Sequence, residues 1–353
     1  MKKVHILAPN RVGGVQNFCR DLGARIGSAK AHVHFHATRD ESKHSHLTYN
    51  PRHSTRSQSL RIWTDIRLSL NDVLVCNDGR ELMWIAASGV TNPCVYIMHG
   101  DNNAYYDALD LNGDICDIVV CINPGIAKVL QAKKNLPQVL YLPQLFKSSS
   151  RNIDELLSFK AIPSTVRVVF IGRPTLSKGF DVLEESIDAS PDLQFDVVLS
   201  DTLISQHPLF NLPHVRVHQN ISHENVLRIL EHADLLMLPS RSEGLPLSIL
   251  EALSCGCSVI CRPLLGFQEA FGEASQVHFA STDEDFIEYV KSWTKQTAIE
   301  ITESRHFAES HLKKVEFGLT KLLQTINMLP AVEHRKRKRF GWRDFFPNWV
   351  FRD

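Results

Sequence analysis

The segment PSRSEGLPLSILEALSCGCSVI, Pro239 to Ile260, places two glutamates, Glu243 and Glu251, around the start of a helix. Pro246 suits the first helical position, where its missing N–H would have no partner, and Gly256 suits the position just past the last turn. A helix is therefore predicted over roughly Pro246 to Cys255. Ahead of it the amides of Gly244, Leu245, Leu247 and Ser248 have no partner within the helix. Together with the helix dipole they favour an anion such as a diphosphate. Glu243 precedes that anion site, and Glu251 lies about a turn and a half into the helix. Two acceptors flanking a phosphate site suit a sugar nucleotide, which carries hydroxyls on both sides of its diphosphate. Taken alone, the same residues also describe a buried amphipathic helix with a solvated Glu251.

Three further stretches supply groups of matching chemistry. VRVVFIGRPTLSKGFDVLEESI, Val166 to Ile187, reads as a buried strand, a glycine turn at Gly172 and a helix, with Arg173 and Lys178 in the connection. Cations there can sit over the same phosphates. Gly13 and Gly14 follow a first strand and open a helix whose polar face carries Gln16, Asn17, Arg20 and Asp21. Glycines at such a place let backbone amides approach a ligand. The Gly-x-Gly-x-x-Gly dinucleotide fingerprint is absent. His99, Gly100 and Asp101 follow the strand VYIM, at the carboxyl end where ligands of open α/β sheets collect.

With the Gly13-Gly14 loop, His99-Gly100, Gly172-Arg173, Lys178-Gly179 and the glutamate pair, nearly the whole chain resembles the retaining glycosyltransferases of family four. The resemblance implies the α/β GT-B fold, two Rossmann-like domains with parallel sheets facing each other across a cleft. It implies that Gly14, and with it Gly13, touches the donor phosphate or sugar from the acceptor-side domain. It also implies that His99 lies beside the donor sugar at the anomeric carbon, that Glu243 binds sugar hydroxyls and that Glu251 binds the ribose. Arg173, Lys178 and the amides before Leu247 would neutralise the departing diphosphate, with Gly172 in the same donor loop. Gln16, Asn17, Asp101, Asn102 and Asn103 are candidate acceptor contacts. The resemblance further implies attack by the acceptor hydroxyl on the face that the phosphate leaves, a donor phosphate oxygen taking the proton.

The elements that must position these residues alternate along the chain as strand and helix, the pattern of parallel sheets covered by helices. Strands are predicted at Val4 to Ala8, His32 to Ala37, Asp72 to Cys76, Cys94 to Met98, Ile118 to Cys121 and Val139 to Leu142. After the polar segment Lys147 to Asn152 they resume at Val166 to Ile171, Phe195 to Leu199, Val215 to Val217, Leu235 to Leu238, Ser258 to Cys261 and Gln276 to Phe279. At 353 residues the chain suits two domains. The boundary is placed near Ser148 to Arg151, giving an acceptor-side domain over 1–148 and a nucleotide-sugar domain over 152–303. A helix over 304–329 is expected to cross back to the first domain, followed by a basic and aromatic tail over 330–353.

Lys and Arg number 39, as do Asp and Glu, so no global field points to nucleic acid. Eight scattered cysteines, with no Cys-x-x-Cys, suit reduced core residues of a cytosolic protein. No apolar run reaches the roughly 18 residues that span a bilayer, and the first eight residues read as a strand, too short for a signal sequence. The only acidic triplet of the Asp-x-Asp kind, Asp283-Glu284-Asp285, follows Ser281-Thr282 and reads as the first turn of a capped helix, so no metal or other cofactor is expected. His32, His34 and His36 alternate on one strand, a geometry open to a metal, but an edge strand facing solvent is the expectation.

In the tail HRKRKR precedes FGWRDFFPNWVFRD, and bases beside aromatics suit an anionic membrane surface. A second basic patch, Arg52, His53, Arg56, Arg61 and Arg67, lies in the first half. The sequence thus points to a cytoplasmic, membrane-peripheral enzyme moving a sugar from a nucleotide-sugar donor to a glycan or lipid-linked acceptor. The resemblance places it in bacterial surface polysaccharide assembly such as lipopolysaccharide or capsule. The alternatives are a catalytically inactive nucleotide-sugar-binding scaffold and a sugar-nucleotide epimerase of the same fold.

Overall fold

The computed structural model describes residues 2–10, 14–38, 47–50, 52–133, 135–161, 165–200 and 207–330. Contacts divide the chain into two units, one of residues 1–145 with those from 315 onward, the other of residues 146–314. The first unit holds β1 (Val4–Pro9), β2 (Ala31–Thr38), β3 (Leu47–Tyr49), β4 (Val73–Cys76), β5 (Cys94–Met98), β6 (Ile118–Cys121) and β7 (Gln138–Tyr141). These pair in parallel in the order β3-β2-β1-β4-β5-β6-β7. The connections carry α1 (Gly14–Ile26), α2 (Thr55–Asp65), α3 (Gly79–Ser88), α4 (Asn103–Asn112) and α5 (Pro124–Gln131). Strand β5 shows how the sheet is covered on both sides. Val95 and Ile97 join Val4, Ile6 and Val120 in one apolar layer, while Cys94, Tyr96 and Met98 join Leu74, Cys76 and Cys121 in the other. A strand buried on both faces has no polar alternation, so its sequence is a continuous apolar run.

The second unit repeats the plan. β8 (Arg167–Gly172), β9 (Gln194–Leu199), β10 (Val215–Gln219), β11 (Leu235–Leu238), β12 (Ser258–Cys261) and β13 (Val277–Phe279) pair in parallel in the order β10-β9-β8-β11-β12-β13. Around them lie α6 (Ile153–Ala161), α7 (Phe180–Ala189), α8 (His223–Glu231), α9 (Leu247–Ser254), α10 (Phe267–Phe271) and α11 (Asp283–Ser292). In each unit the strand order reverses beside the first strand, between β1 and β4 and between β8 and β11. Connections leave such a switch point in opposite directions, which opens a crevice at the carboxyl ends of the two strands. The long α12 (Ala298–Met328) serves both units. Its Ala308 packs in the second unit's core, and Val315, Leu319, Leu322 and Ile326 pack in the first's.

Every strand expected from sequence is present, with bounds within two residues. β3 was not expected: three residues are too few to carry a pattern. Its presence overturns the reading of the His32, His34 and His36 strand as an edge facing solvent. β2 lies between β1 and β3, and His36 is buried, its Nε2 2.7 Å from Glu81 Oε1 and its ring 4.8 Å from that of Trp84. The polar segment expected to mark the boundary belongs to the second unit. Ser149 is buried, its hydroxyl donating to Glu231 Oε1 at 2.6 Å and its amide to Ser254 Oγ at 3.1 Å. The last helix begins earlier than expected because Thr297 and Glu300 cap it reciprocally, the Glu300 amide donating to Thr297 Oγ1 and the Thr297 amide to Glu300 Oε2. All eight cysteines are buried, and none is joined in a disulfide. Among the described residues no helix is long and apolar enough to cross a membrane. The tail beyond Pro330 lies outside the described residues.

Candidate functional site

In the second unit the switch-point strands β8 and β11 end in the two loops that carry Arg173, Lys178 and Glu243. Gly179 explains how closely these loops can pack. It is left-handed, at φ 69°, and a Cβ there would lie 2.5 Å from the carbonyl oxygen of Pro239, the residue just after β11. Only glycine meets both conditions. The loops are then riveted by two arginines. The Arg241 amide donates to Ser177 O at 2.9 Å, and its guanidinium to Leu176 O at 2.7 Å, to both carboxylate oxygens of Asp181 at 2.7 and 2.8 Å, and to Asp283 at 3.0 Å. Arg262, just past β12, donates to Pro239 O at 3.0 Å and Ser281 O at 2.9 Å, and pairs with Asp283. The guanidinium of Arg241 holds the Asp181 carboxyl below the usual carboxylate range.

The result is a contact between two of the residues singled out from sequence: Lys178 Nζ lies 2.6 Å from Glu243 Oε1, the side chains 20% and 12% exposed. Arg173 is exposed and joins no ion pair among the described residues. Gly172, ending β8, is held close over its own strand, since a Cβ there would come within 3.0 Å of the Phe170 ring. After Glu243 the chain passes Gly244 and the buried Leu245 into α9. Pro246 is the cap of that helix, with extended ψ of 129°, and Leu247 is its first helical residue, a shift of one from expectation. Among the described residues no side chain caps this end, so the first-turn amides of Leu247 and Ser248 are candidate anion donors. Gly256, at φ 74°, ends the helix as expected. Glu251 is buried in α9, and its Oε1 lies 2.7 Å from Nε2 of His223, the first residue of α8.

In the first unit Gly14 opens α1, while Gly13 lies outside the described residues. Gln16 is buried and donates to Asn10 Oδ1 at 2.9 Å, whereas Asn17 is half-buried. His99 follows β5 and is 8% exposed, its ring edge-on to Phe18 at 4.9 Å and its Nε2 2.7 Å from Asn77 Oδ1. Burial pushes its pKa down to about 3, so the imidazole is neutral near pH 7. Asp101 accepts the Tyr106 hydroxyl at 2.8 Å, and Asn102 precedes α4 without capping it through its side chain.

The acidic triplet sits where a capped helix was expected. Thr282 and Asp285 form a capping box at the start of α11, and Asp283 pairs with Arg241 and Arg262. Sequence reasoning missed Asn77, Arg241 and Arg262, and it read His223 only as the end of a stretch, Gln219 to His223, proposed to contact the nucleotide base. The available signal was position, since Asn77 and Arg262 each come directly after an apolar strand and Arg241 shortly after one. A cavity of about 370 Å³ in the second unit lies along β10 and α8, lined by Arg167, Arg216 and His232 among others. There His218 is paired with Asp196 and Arg228 with Glu224.

Two doubly wound parallel sheets in one chain, each with polar loops at its switch point, define the GT-B class of α/β protein. Within that class the chain belongs to the family Glycosyl transferases group 1, whose model matches residues 126–310, just over half of it. Among curated proteins it is similar to TuaC of Bacillus subtilis (strain 168), named for teichuronic acid biosynthesis as a glycosyltransferase, at 31% identity over 36% of this chain and 33% of that one. It is also similar to the N,N'-diacetylbacillosaminyl-diphospho-undecaprenol alpha-1,3-N-acetylgalactosaminyltransferase of Campylobacter jejuni subsp. jejuni serotype O:2, at 33% identity over 19% of this chain and 18% of that one. The matches thus span a third or less of those relatives' lengths. Among solved structures, Anabaena HepE in complex with UDP and glucose shares the fold with a TM-score of 0.72 and 16% identity, over 93% of this chain and 100% of that one.

Proposed function

We propose that the protein is a retaining, metal-independent glycosyltransferase that moves a sugar from a nucleoside diphosphate donor to a glycan or lipid-linked acceptor. The observation that carries this is the 2.6 Å contact of Lys178 with Glu243 at the switch point of the second unit, followed directly by the uncapped start of α9. Breaking the bond from sugar to diphosphate places negative charge on the leaving phosphates, and catalysis requires that this charge be met. Lys178, Arg173 and the amides of Leu247 and Ser248 meet it. Before donor arrives Glu243 pairs with the largely covered Lys178 side chain. With donor bound, the phosphates share Lys178, and Glu243 turns its second oxygen to the sugar hydroxyls.

Glu251 takes the ribose hydroxyls. Its contact with His223 fixes one carboxylate oxygen and leaves the other to accept. His99 contacts the donor sugar as a neutral imidazole, which adds no positive charge beside a ring that itself becomes positive in the transition state. The acceptor hydroxyl attacks the anomeric carbon from the face the diphosphate leaves. The C–O bond to phosphate breaks, its electron pair stays on the phosphate, and a donor phosphate oxygen takes the proton. Gln16, Asn17, Asp101 and Asn102 contact the acceptor, and Gly14 with Gly13 the donor.

The names of the two curated relatives, one for teichuronic acid biosynthesis and one for a diphospho-undecaprenol acceptor, support a role in bacterial cell-surface polysaccharide assembly such as lipopolysaccharide or capsule. Such an acceptor lies at a membrane, and the tail HRKRKR with its aromatics suits contact with the anionic cytoplasmic face. A thermal-shift screen against UDP-, GDP-, ADP- and CMP-sugars tests the donor reading. A ligand at a hundred times its dissociation constant adds about 2.7 kcal/mol, an easily read shift. The expected result is stabilisation by one base class, with slow hydrolysis of that donor in the absence of acceptor. Stabilisation by none of them, with no donor consumed, overturns the proposal.

A further inference from the structure

Asn77 directly follows the switch-point strand β4 of the first unit, next to β5 and His99. It is 1% exposed, and its amide orientation is fixed by its surroundings. Asn77 Nδ2 lies 2.7 Å from the backbone carbonyl of Leu7, which can only accept, so the nitrogen must face Leu7 and the oxygen must face His99. The 2.7 Å contact of Asn77 Oδ1 with His99 Nε2 therefore has the ring nitrogen as donor. The backbone of Asn77 is pinned as well. Its amide donates to Glu81 Oε2 at 2.5 Å, and the other oxygen of that carboxyl contacts His36 Nε2 at 2.7 Å. His36, Glu81, Asn77 and His99 thus form one buried chain of contacts, 2%, 0%, 1% and 8% exposed.

We propose that Asn77 is a positioning residue that fixes His99 as the Nε2–H tautomer and so presents Nδ1 as a hydrogen-bond acceptor toward the donor sugar. The identity of the ring's partner decides which nitrogen carries the proton. A neutral imidazole with a free Nδ1 lone pair accepts from a sugar hydroxyl. In the opposite tautomer it could only donate there. The tautomer assignment stands on the contacts of Asn77 alone, while its use toward a sugar rests on the donor role given to His99 above. Ionisable groups on the elements around His99 include Cys19, Arg20 and Asp21 on α1, Asp78, Arg80 and Glu81 at the start of α3, Asp101 just before α4, and Tyr105 and Tyr106 in its first turn. Burial raises the pKa of the Cys19 thiol, the Glu81 carboxyl and the Tyr105 phenol, which favours their neutral forms.

The test uses the full-length protein labelled with ¹⁵N in histidine. Long-range proton–nitrogen correlation reads the His99 tautomer directly, with His99→Gln providing the assignment. The expected result is a protonated Nε2 and an unprotonated Nδ1 across pH 6 to 8. A protonated Nδ1 overturns the proposal whatever the activity. Asn77→Asp supplies a second readout, since it keeps an acceptor beside Nε2 but adds negative charge, so the imidazolium is favoured. The acid limb of kcat for sugar transfer should then move up by about one pH unit or more, with KM for the donor changed far less than kcat. An acid limb identical to that of the parent overturns the positioning role. If no sugar nucleotide is bound or turned over by the parent protein, the glycosyltransferase proposal fails instead, and the tautomer measurement still stands.

Discussion

Replacing Gly179 by alanine should pull apart the two loops that bring Lys178 to Glu243. Two effects add at this position. The backbone is left-handed at φ 69°, a conformation that costs a residue with a Cβ about 1–2 kcal/mol. The new methyl group would also start 2.5 Å from the Pro239 carbonyl oxygen, 2.8 Å from its carbon and 2.8 Å from its Cβ. Overpacking of that kind costs about 1–3 kcal/mol. None of these atoms ends a flexible side chain. Pro239 follows β11, and its carbonyl also accepts from Arg262 at 3.0 Å, so relief must come from movement of the Lys178 loop. The expected loss is about 2–5 kcal/mol in the unfolding of the second unit, read as a lower urea midpoint. Stabilisation by a saturating sugar nucleotide should fall with it. Gly27→Ala separates the two effects, because Gly27 is also left-handed, at φ 97°, but has nothing within 4 Å of its absent Cβ. It should show the backbone cost alone. If Gly179→Ala loses no more than Gly27→Ala and binds donor as well as the parent, the close approach of the loops is not what holds Lys178 against Glu243.

Lys178→Ala should lower the turnover of sugar transfer by about 10²-fold or more, the usual effect of removing one group that meets developing negative charge; unchanged turnover removes the phosphate role. Stability should depend on pH through His99, whose pKa falls on folding from the ordinary 6.5 to about 3. Between those values the unfolded chain binds a proton that the folded one does not, so stability rises from pH 3 to 6.5 and is level above. His99→Gln should flatten that part of the curve in denaturant titrations at pH 5 and pH 7, and an unchanged slope would show that the ring is not buried neutral. Deleting Glu333 to Asp353 should reduce sedimentation with anionic vesicles, since each Lys or Arg near such a surface is worth about 1 kcal/mol. Undiminished sedimentation would remove the tail from membrane contact.

The two-sheet plan was legible because both faces of the central strands are covered. Runs such as VLVC, CVYIM, LLML and SVIC are apolar without alternation, and they keep in the structure the places their sequences mark. The loops after β8 and β11 were legible for a related reason: charged residues and glycines directly after buried strands have little to do for the core. What could not be read locally was partnership, which strand order decides. Arg241 finds Leu176, Asp181 and Asp283 because β8, β11, β12 and β13 follow one another in the sheet, and nothing within PSRSEG announces that. His36 illustrates the same point through an error. Its strand alternates polar and apolar residues as an edge would, yet a three-residue neighbour, β3, turns it into an interior strand, and His36 meets Glu81 from α3. The buried chain from His36 to His99 therefore rests on the shortest strand of the first unit as much as on its own residues. Residues that hold a functional side chain through such a chain escape a search for chemistry in sequence, because each looks like an ordinary polar residue until the strand order places it beside the next.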